Sequence, residues 1–205
     1  MTDRMRQSPG TATTGPGRFP KLDWTIRLAP LSNGPVTLRE VATRDAGSLL
    51  AHLNAPAVRR QMTPPPPDTI EGFERFIRWT QTQRRAGALA CFAIMPGTAR
   101  EAAGIVQIWR VTADFSIAEW GIALGEAWWG RGIGQSAARL LFTFAFDTLK
   151  VRRLEARMGS DNARGRTLMT RLDATLQGAL PPDGSGAAAG NEELWTLLAA
   201  HGTLP

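Results

Sequence analysis

The chain has no tyrosine, one cysteine and two histidines among its 205 residues. Without tyrosine no phenol is available to carry a catalytic proton. A single cysteine, Cys91, excludes an internal disulfide, and its place in the apolar run 90–95 predicts a buried, inert thiol. His52 and His201 are far apart, with no acidic or cysteine ligand pattern around them, so no zinc site is indicated. They support no Ser-His-Asp set either. Lysine is scarce as well: only Lys21 and Lys150 are present, and a formal charge of +6 rests on arginine. That balance favours acidic partners, such as a phosphorylated ligand, an acidic protein or RNA. No arginine cluster is interleaved with aromatics, so no DNA partner is expected. No run approaches the roughly 20 apolar residues that span a bilayer, so no membrane partner is expected. Residues 1–17 lack the apolar segment of a secretory signal, and a cytoplasmic location is the expectation.

What is present suits one globular domain: 43% of residues are hydrophobic. Residues 1–22 are rich in Gly, Pro, Thr and Ser, cannot bury enough to order themselves, and read as a flexible tail. Residues 23–205 read as a single domain. Alternation predicts a strand over 36–41. Thr43 or Asp45 can cap a helix ending near Leu53. After the Pro64–Pro67 run, Asp68 with Glu71 suggests a capping box for a helix carrying Phe73, Phe76, Ile77 and Thr80 on one side. The Phe73 and Phe76 face reads as core packing. Strands are expected over 88–95, 102–111 and 115–124, linked by turns short enough for antiparallel hairpins. A helix over 135–149, a strand over 151–158, a helix over 164–172 and strands over 175–180 and 194–199 complete the order. A Pro/Gly/Ala-rich loop over 181–190 joins the last two strands. The unit 115–158 is a strand–helix–strand crossover, which should pair its strands in parallel.

The most informative stretch is 119–137, EWGIALGEAWWGRGIGQSA. A strand ends at Leu124, a loop carries Gly125, Gly130, Gly132 and Gly134, and a helix starts. Glycines let the backbone approach a ligand, and the helix start offers free N–H groups with a partial positive charge. Together they make an anion site. The run Trp129-Gly130-Arg131-Gly132-Ile133-Gly134 resembles the acetyl-CoA loop of the GNAT N-acetyltransferases, Gln/Arg-x-x-Gly-x-Gly/Ala, with Trp129 at the first position. AEWGIAL and WWGRGIGQSA resemble the RimJ/RimL-like branch, which acetylates protein N-termini and small amines. The resemblance covers about 36–201. A dinucleotide site is disfavoured, because its glycine fingerprint belongs in the first βα turn of a parallel sheet.

The resemblance implies an α/β GNAT fold with a mixed, mostly antiparallel sheet of about six to seven strands flanked by helices. It implies acetyl-CoA as co-substrate and a primary amine, at a protein N-terminus or on a small molecule, as acceptor. It leaves a homodimer open. The pyrophosphate falls to the loop 129–136: main-chain N–H groups from Arg131, Gly132, Ile133, Gly134 and Gln135, flanked by Trp129 and Gly130, with the Ser136 hydroxyl and the Arg131 charge in support. The main chain of Ile122, Ala123 and Leu124 would meet the pantetheine arm, with Gly121 suited to a bulge that splays this strand. Asn162 resembles the family's pantetheine-binding Asn. Glu119 is the general-base candidate, its pKa raised by burial near Trp120 and Ile122; the alternative is a solvated strand carboxylate. Where the family has Asn-x-x-Ser, this chain has Gly165, and Leu172-Asp173-Ala174 stands for Leu-Gly-Phe. With neither that serine nor a tyrosine, an acyl-CoA-binding module without turnover is the competing reading.

Overall fold

The computed structural model describes residues 23–97, 99–180 and 192–199. The expected tail 1–22 and the loop 181–190 lie outside the described residues. The strands are β1 (Leu31–Asn33), β2 (Val36–Glu40), β3 (Leu89–Pro96), β4 (Gly104–Arg110), β5 (Ile117–Leu124), β6 (Arg153–Gly159), β7 (Thr175–Ala179) and β8 (Glu192–Leu198). The helices are α1 (Ala46–Leu53), α2 (Pro56–Arg59), α3 (Ile70–Arg85), α4 (Ile133–Thr143) and α5 (Ala163–Arg171).

The strands form one eight-stranded sheet in the order β1-β2-β3-β4-β5-β6-β8-β7. Every pair is antiparallel except β5–β6, the parallel pair joined through α4. The count exceeds the expected six to seven because of β1, a three-residue edge strand folded back at Gly34. It is too short and too exposed to leave an alternation in the sequence.

Two cores sandwich the sheet. On one face α1 and α3 bury Leu49, Leu53, Phe73 and Ile77 against Cys91, Ala93, Ile105 and Ala123. On the other, α4 buries Ala137, Ala138 and Leu141 against Phe92, Ile108, Trp120 and Leu154. The period of two along each strand assigns alternate residues to the two cores. Phe73 is core, as its helical spacing implied, while Phe76 is half-buried and stacks on the exposed Trp79, ring centroids 6.2 Å apart.

Two helix starts differ from expectation. Thr69, not Asp68, caps α3: its hydroxyl accepts the Gly72 N–H at 3.0 Å, so Glu71 falls one place early for a capping box. The helix expected from Gln135 begins at Ile133, with Gly132 as its cap in left-handed geometry, φ 74°. Its last turn, Phe144–Leu149, widens to π geometry.

Candidate active site

The glycine loop ends directly on α4. Gly132, with φ 74°, turns the chain into the helix, and no side chain caps the helix start. The first helical hydrogen bond runs from the Ser136 N–H to the Gly132 carbonyl, 3.0 Å. The N–H groups of Ile133, Gly134 and Gln135 therefore have no intrahelical acceptor. No atom lies within 4 Å of where a Cβ would stand on Gly130 or Gly132, so the backbone is open to a ligand there. The Gln135 side chain is turned away, donating to the Arg171 carbonyl at 3.1 Å, and offers only its main chain to the loop. Arg131 is exposed over the Trp128 ring, its Cζ 5.6 Å from the centroid.

Trp129, at the position where the family pattern has Gln or Arg, is structural. Its Nε1–H donates to the Leu124 carbonyl at 2.8 Å. The Arg164 guanidinium, from the first turn of α5, lies over its ring at 3.8 Å from the centroid. The indole thus fixes the loop to the end of β5 and ties it to α5.

Beside the loop, the sheet opens. β5 pairs with β6 only through Ile117↔Arg153, Ala118↔Leu154 and Glu119↔Glu155, although β5 runs on to Leu124 and β6 to Gly159. On its other edge β5 stays in unbroken register with β4 from Ala118 to Leu124. The opening is therefore a parting of the parallel strands, with no bulge at Gly121 along the β4 edge. Bonds from the Gly125 N–H to the Ala103 carbonyl and the Val111 N–H to the Ile117 carbonyl fix the phase of that ladder. Antiparallel alternation then turns the main-chain groups of Trp120, Ile122 and Leu124 toward the gap and those of Ala123 toward Ile105. Of the three expected pantetheine contacts, Ile122 and the Leu124 N–H face the opening. The Leu124 carbonyl is taken by Trp129, and Ala123 is committed to β4.

Glu119 stands at the last paired position, the apex of the opening. Its side chain is 16% exposed, and its Oε2 lies 3.4 Å from the Arg157 Nε. Its pKa is raised: burial is the main cause, the nearby Glu155 and Glu192 add to it, and Arg157 opposes it. The direction is the one expected from the sequence, but the neighbours are not. Trp120 and Ile122 point to the opposite face, where Trp120 packs edge-on against Phe142 at 4.9 Å. Glu119 instead faces the strip formed by Glu155, Arg157 and Trp109. Glu155 is buried and paired with Arg153. Arg157 is the charged neighbour that reading the sequence missed. Its signal was the β6 alternation, which puts Arg153, Glu155 and Arg157 on the side that Glu119 takes on β5.

On α5, Asn162 is the N-cap, its Oδ1 accepting the Gly165 N–H at 2.8 Å. Its amide nitrogen, with no other partner among the described residues, remains to donate to a ligand. A Cβ on Gly165 would stand 2.7 Å from the Met158 sulfur and 2.9 Å from the Asn162 Cγ, so no serine fits without repacking. Asp173 adopts φ 59° where the family pattern has glycine, a conformation that Asp tolerates better than most residues. Among the described residues no helix is long and apolar enough to cross a membrane.

These features are the parts an acyl-CoA site needs: an uncapped helix start for phosphates, an open strand edge for a pantetheine amide chain, and a carboxylate at the apex where that edge begins. The acetyltransferase (GNAT) domain family matches residues 36–175. N-acetyltransferase p20 of Bacillus licheniformis, itself uncharacterised, is 25% identical over 145 residues, 71% of this chain and 82% of that protein. RimJ of Mycobacterium smegmatis, solved with CoA-disulfide, superposes with TM-score 0.74 at 19% identity, covering 89% of this chain and 91% of that one. The Microcin C7 self immunity acetyltransferase MccE, solved with acetyl-CoA and AMP, superposes with TM-score 0.72 at 20% identity, covering 82% and 94%. The chain belongs to the GNAT acetyltransferase family and is an acetyl-CoA-dependent N-acetyltransferase.

Proposed function

We propose that this enzyme acetylates a primary amine presented at the apex of the β5–β6 opening, with Glu119 accepting the proton. The observation that carries the reading is the position of Glu119: the strands part immediately after it, so its carboxylate stands beside the first free main-chain groups of the strand edge. The loop 129–136 would hold the pyrophosphate through the amides of Ile133, Gly134 and Gln135, which have no other acceptor in the helix. Ile122, the Leu124 N–H and the Asn162 amide nitrogen would hold the pantetheine arm. Acetyl-CoA supplies an activated acyl carbon. In the transfer the ammonium first gives one proton to Glu119, directly or through water; the neutral nitrogen then bonds to that carbon, the C–S bond breaks, sulfur departs as thiolate, and the second proton leaves the nitrogen to solvent. With no tyrosine in the chain and glycine at 165, the protonation of that thiolate falls to solvent. Alignment of the reactants supplies much of the rate; such effects reach about 7–11 kcal/mol.

The acceptor we favour is a protein N-terminus, as the resemblance to the RimJ/RimL-like branch suggests and as the likeness to RimJ supports. The carboxylates Glu119, Glu155 and Glu192 suit an ammonium group there. Thiol release is measured with short peptides of varied N-terminal residue and with a panel of small amines. Peptides should turn over faster; a preference for polyamines or aminoglycosides would replace the acceptor while keeping the chemistry. Glu119→Gln should lower kcat/KM by roughly 10²–10⁴, with the deficit shrinking as pH rises and the amine loses its proton unaided. A deficit that is flat with pH would remove Glu119 from proton transfer.

A further inference from the structure

Among the described residues Glu119 has one charged partner of opposite sign, and it comes from the far bank of the opening. Arg157 lies on β6, two residues beyond the last position at which β6 pairs with β5. Its backbone has already left β5, yet its side chain reaches back so that Nε stands 3.4 Å from the Glu119 Oε2. The guanidinium is 45% exposed and the carboxylate 16% exposed, so the pair sits at the lip of the gap with the arginine on the solvent side. No hydrogen bond from Arg157 to any other group is found among the described residues. The neighbouring Arg153 is already paired with Glu155.

We propose that Arg157 is a positioning residue for the proton acceptor: from β6 it spans the opened sheet, orients the Glu119 carboxylate toward the apex and keeps it ionised while the acceptor amine arrives. The inference rests on Glu119 being that acceptor. Its physical basis is the company that Glu119 keeps. Glu155 faces it from β6, Glu192 from β8, and Trp109 lies opposite on β4. Burial and both carboxylates favour the protonated form, and Arg157 is the charge that opposes them. A protonated Glu119 cannot take a proton from an ammonium. A guanidinium that is fixed in shape and always charged is suited to the task. Its exposure also lets it swing aside once an ammonium takes its place against Glu119. Among the described residues its side-chain ion pair is with Glu119, and it is through that carboxylate that it acts.

The test titrates the full chain labelled with ¹³C at the glutamate carboxyls. Glu119→Gln identifies the Glu119 resonance, and Arg157→Gln and Arg157→Lys are compared with the parent. In Arg157→Gln the Glu119 midpoint should rise by about one pH unit or more, and the acid limb of kcat/KM should move with it. Arg157→Lys should restore most of both shifts, because it keeps the charge. CoA affinity, read by calorimetry, should be unchanged in both variants and shows that the fold is intact. A Glu119 midpoint that is the same with Gln, Lys and Arg at 157 overturns the proposal. If the midpoint moves but the acid limb does not, the pair is real, and it is the assignment of Glu119 as proton acceptor that fails, taking the proposed role of Arg157 with it.

Discussion

The phosphate contacts proposed for the glycine loop can be tested by a pair of substitutions that share a shape and differ in charge. Gly132 adopts φ 74° with nothing within 4 Å of a Cβ built on it, so the obstacle to a side chain there is conformational rather than steric. Most residues lose about 1–2 kcal/mol in left-handed geometry, whereas Asn and Asp enter it readily. Gly132→Asn and Gly132→Asp should therefore both fold. Asp should melt no lower than Asn, since a carboxylate at a helix N-terminus is stabilising by about 0.3–1 kcal/mol. Binding should go the other way. A carboxylate about 6 Å from one phosphate charge, at an effective dielectric of about 20, is repelled by about 3 kcal/mol, or roughly a hundredfold in Kd. Gly132→Asn should bind CoA within a few-fold of the parent, and Gly132→Asp about a hundredfold more weakly. The gap should narrow at 1 M salt, where the screening length falls to about 3 Å. Titration calorimetry with CoA at low and high salt, alongside thermal melts, reads both effects. Equal affinity of the two folded variants would mean that the loop does not hold the phosphates.

Gly104→Ala should destabilise the enzyme by at least about 2 kcal/mol and abolish CoA binding, because the new Cβ would stand 2.1 Å from the Ala123 carbonyl oxygen and push aside the end of β5; urea denaturation with m-values reads this, and parental stability would refute the packing. Gly165→Ser, which restores the family pattern, should lower stability by about 1–3 kcal/mol without raising turnover, since its Cβ meets the Met158 sulfur at 2.7 Å; faster thiol release by this variant would show that the missing hydroxyl limits catalysis. Cys91 is 3% exposed and burial, the main cause, pushes its thiol pKa up, so an alkylating reagent should modify it only after denaturant is added; prompt stoichiometric labelling at neutral pH would show that α3 does not cover it.

Much of the fold was legible because its signals are local. Three antiparallel strands announced themselves by apolar stretches joined through short turns, and β3, β4 and β5 pair as their hairpins required. The glycine loop was legible because glycine at 130 and 132 is what backbone with φ above 70° demands. What escaped were features set by partners remote in sequence or by very short segments. β1 became visible only by pairing with β2. The α3 cap passed to Thr69 because a hydroxyl in extended geometry reached the Gly72 N–H. Trp129 could be read as a departure from a motif, but its bond to Leu124 and its stack under Arg164 depend on how the loop lies against β5 and α5.

The division between sequence and tertiary structure is sharpest at Glu119. The sequence by itself determined the family, the glycine loop, the strand that bears a carboxylate, and the parallel crossover that follows it, since each is carried by residues close together along the chain. Only the tertiary structure decided where β5 and β6 part, which main-chain groups that parting leaves free, and that Arg157 rather than Trp120 faces the carboxylate. Those depend on ladder phase and on which side of a strand each residue takes, and both are set when distant segments pair.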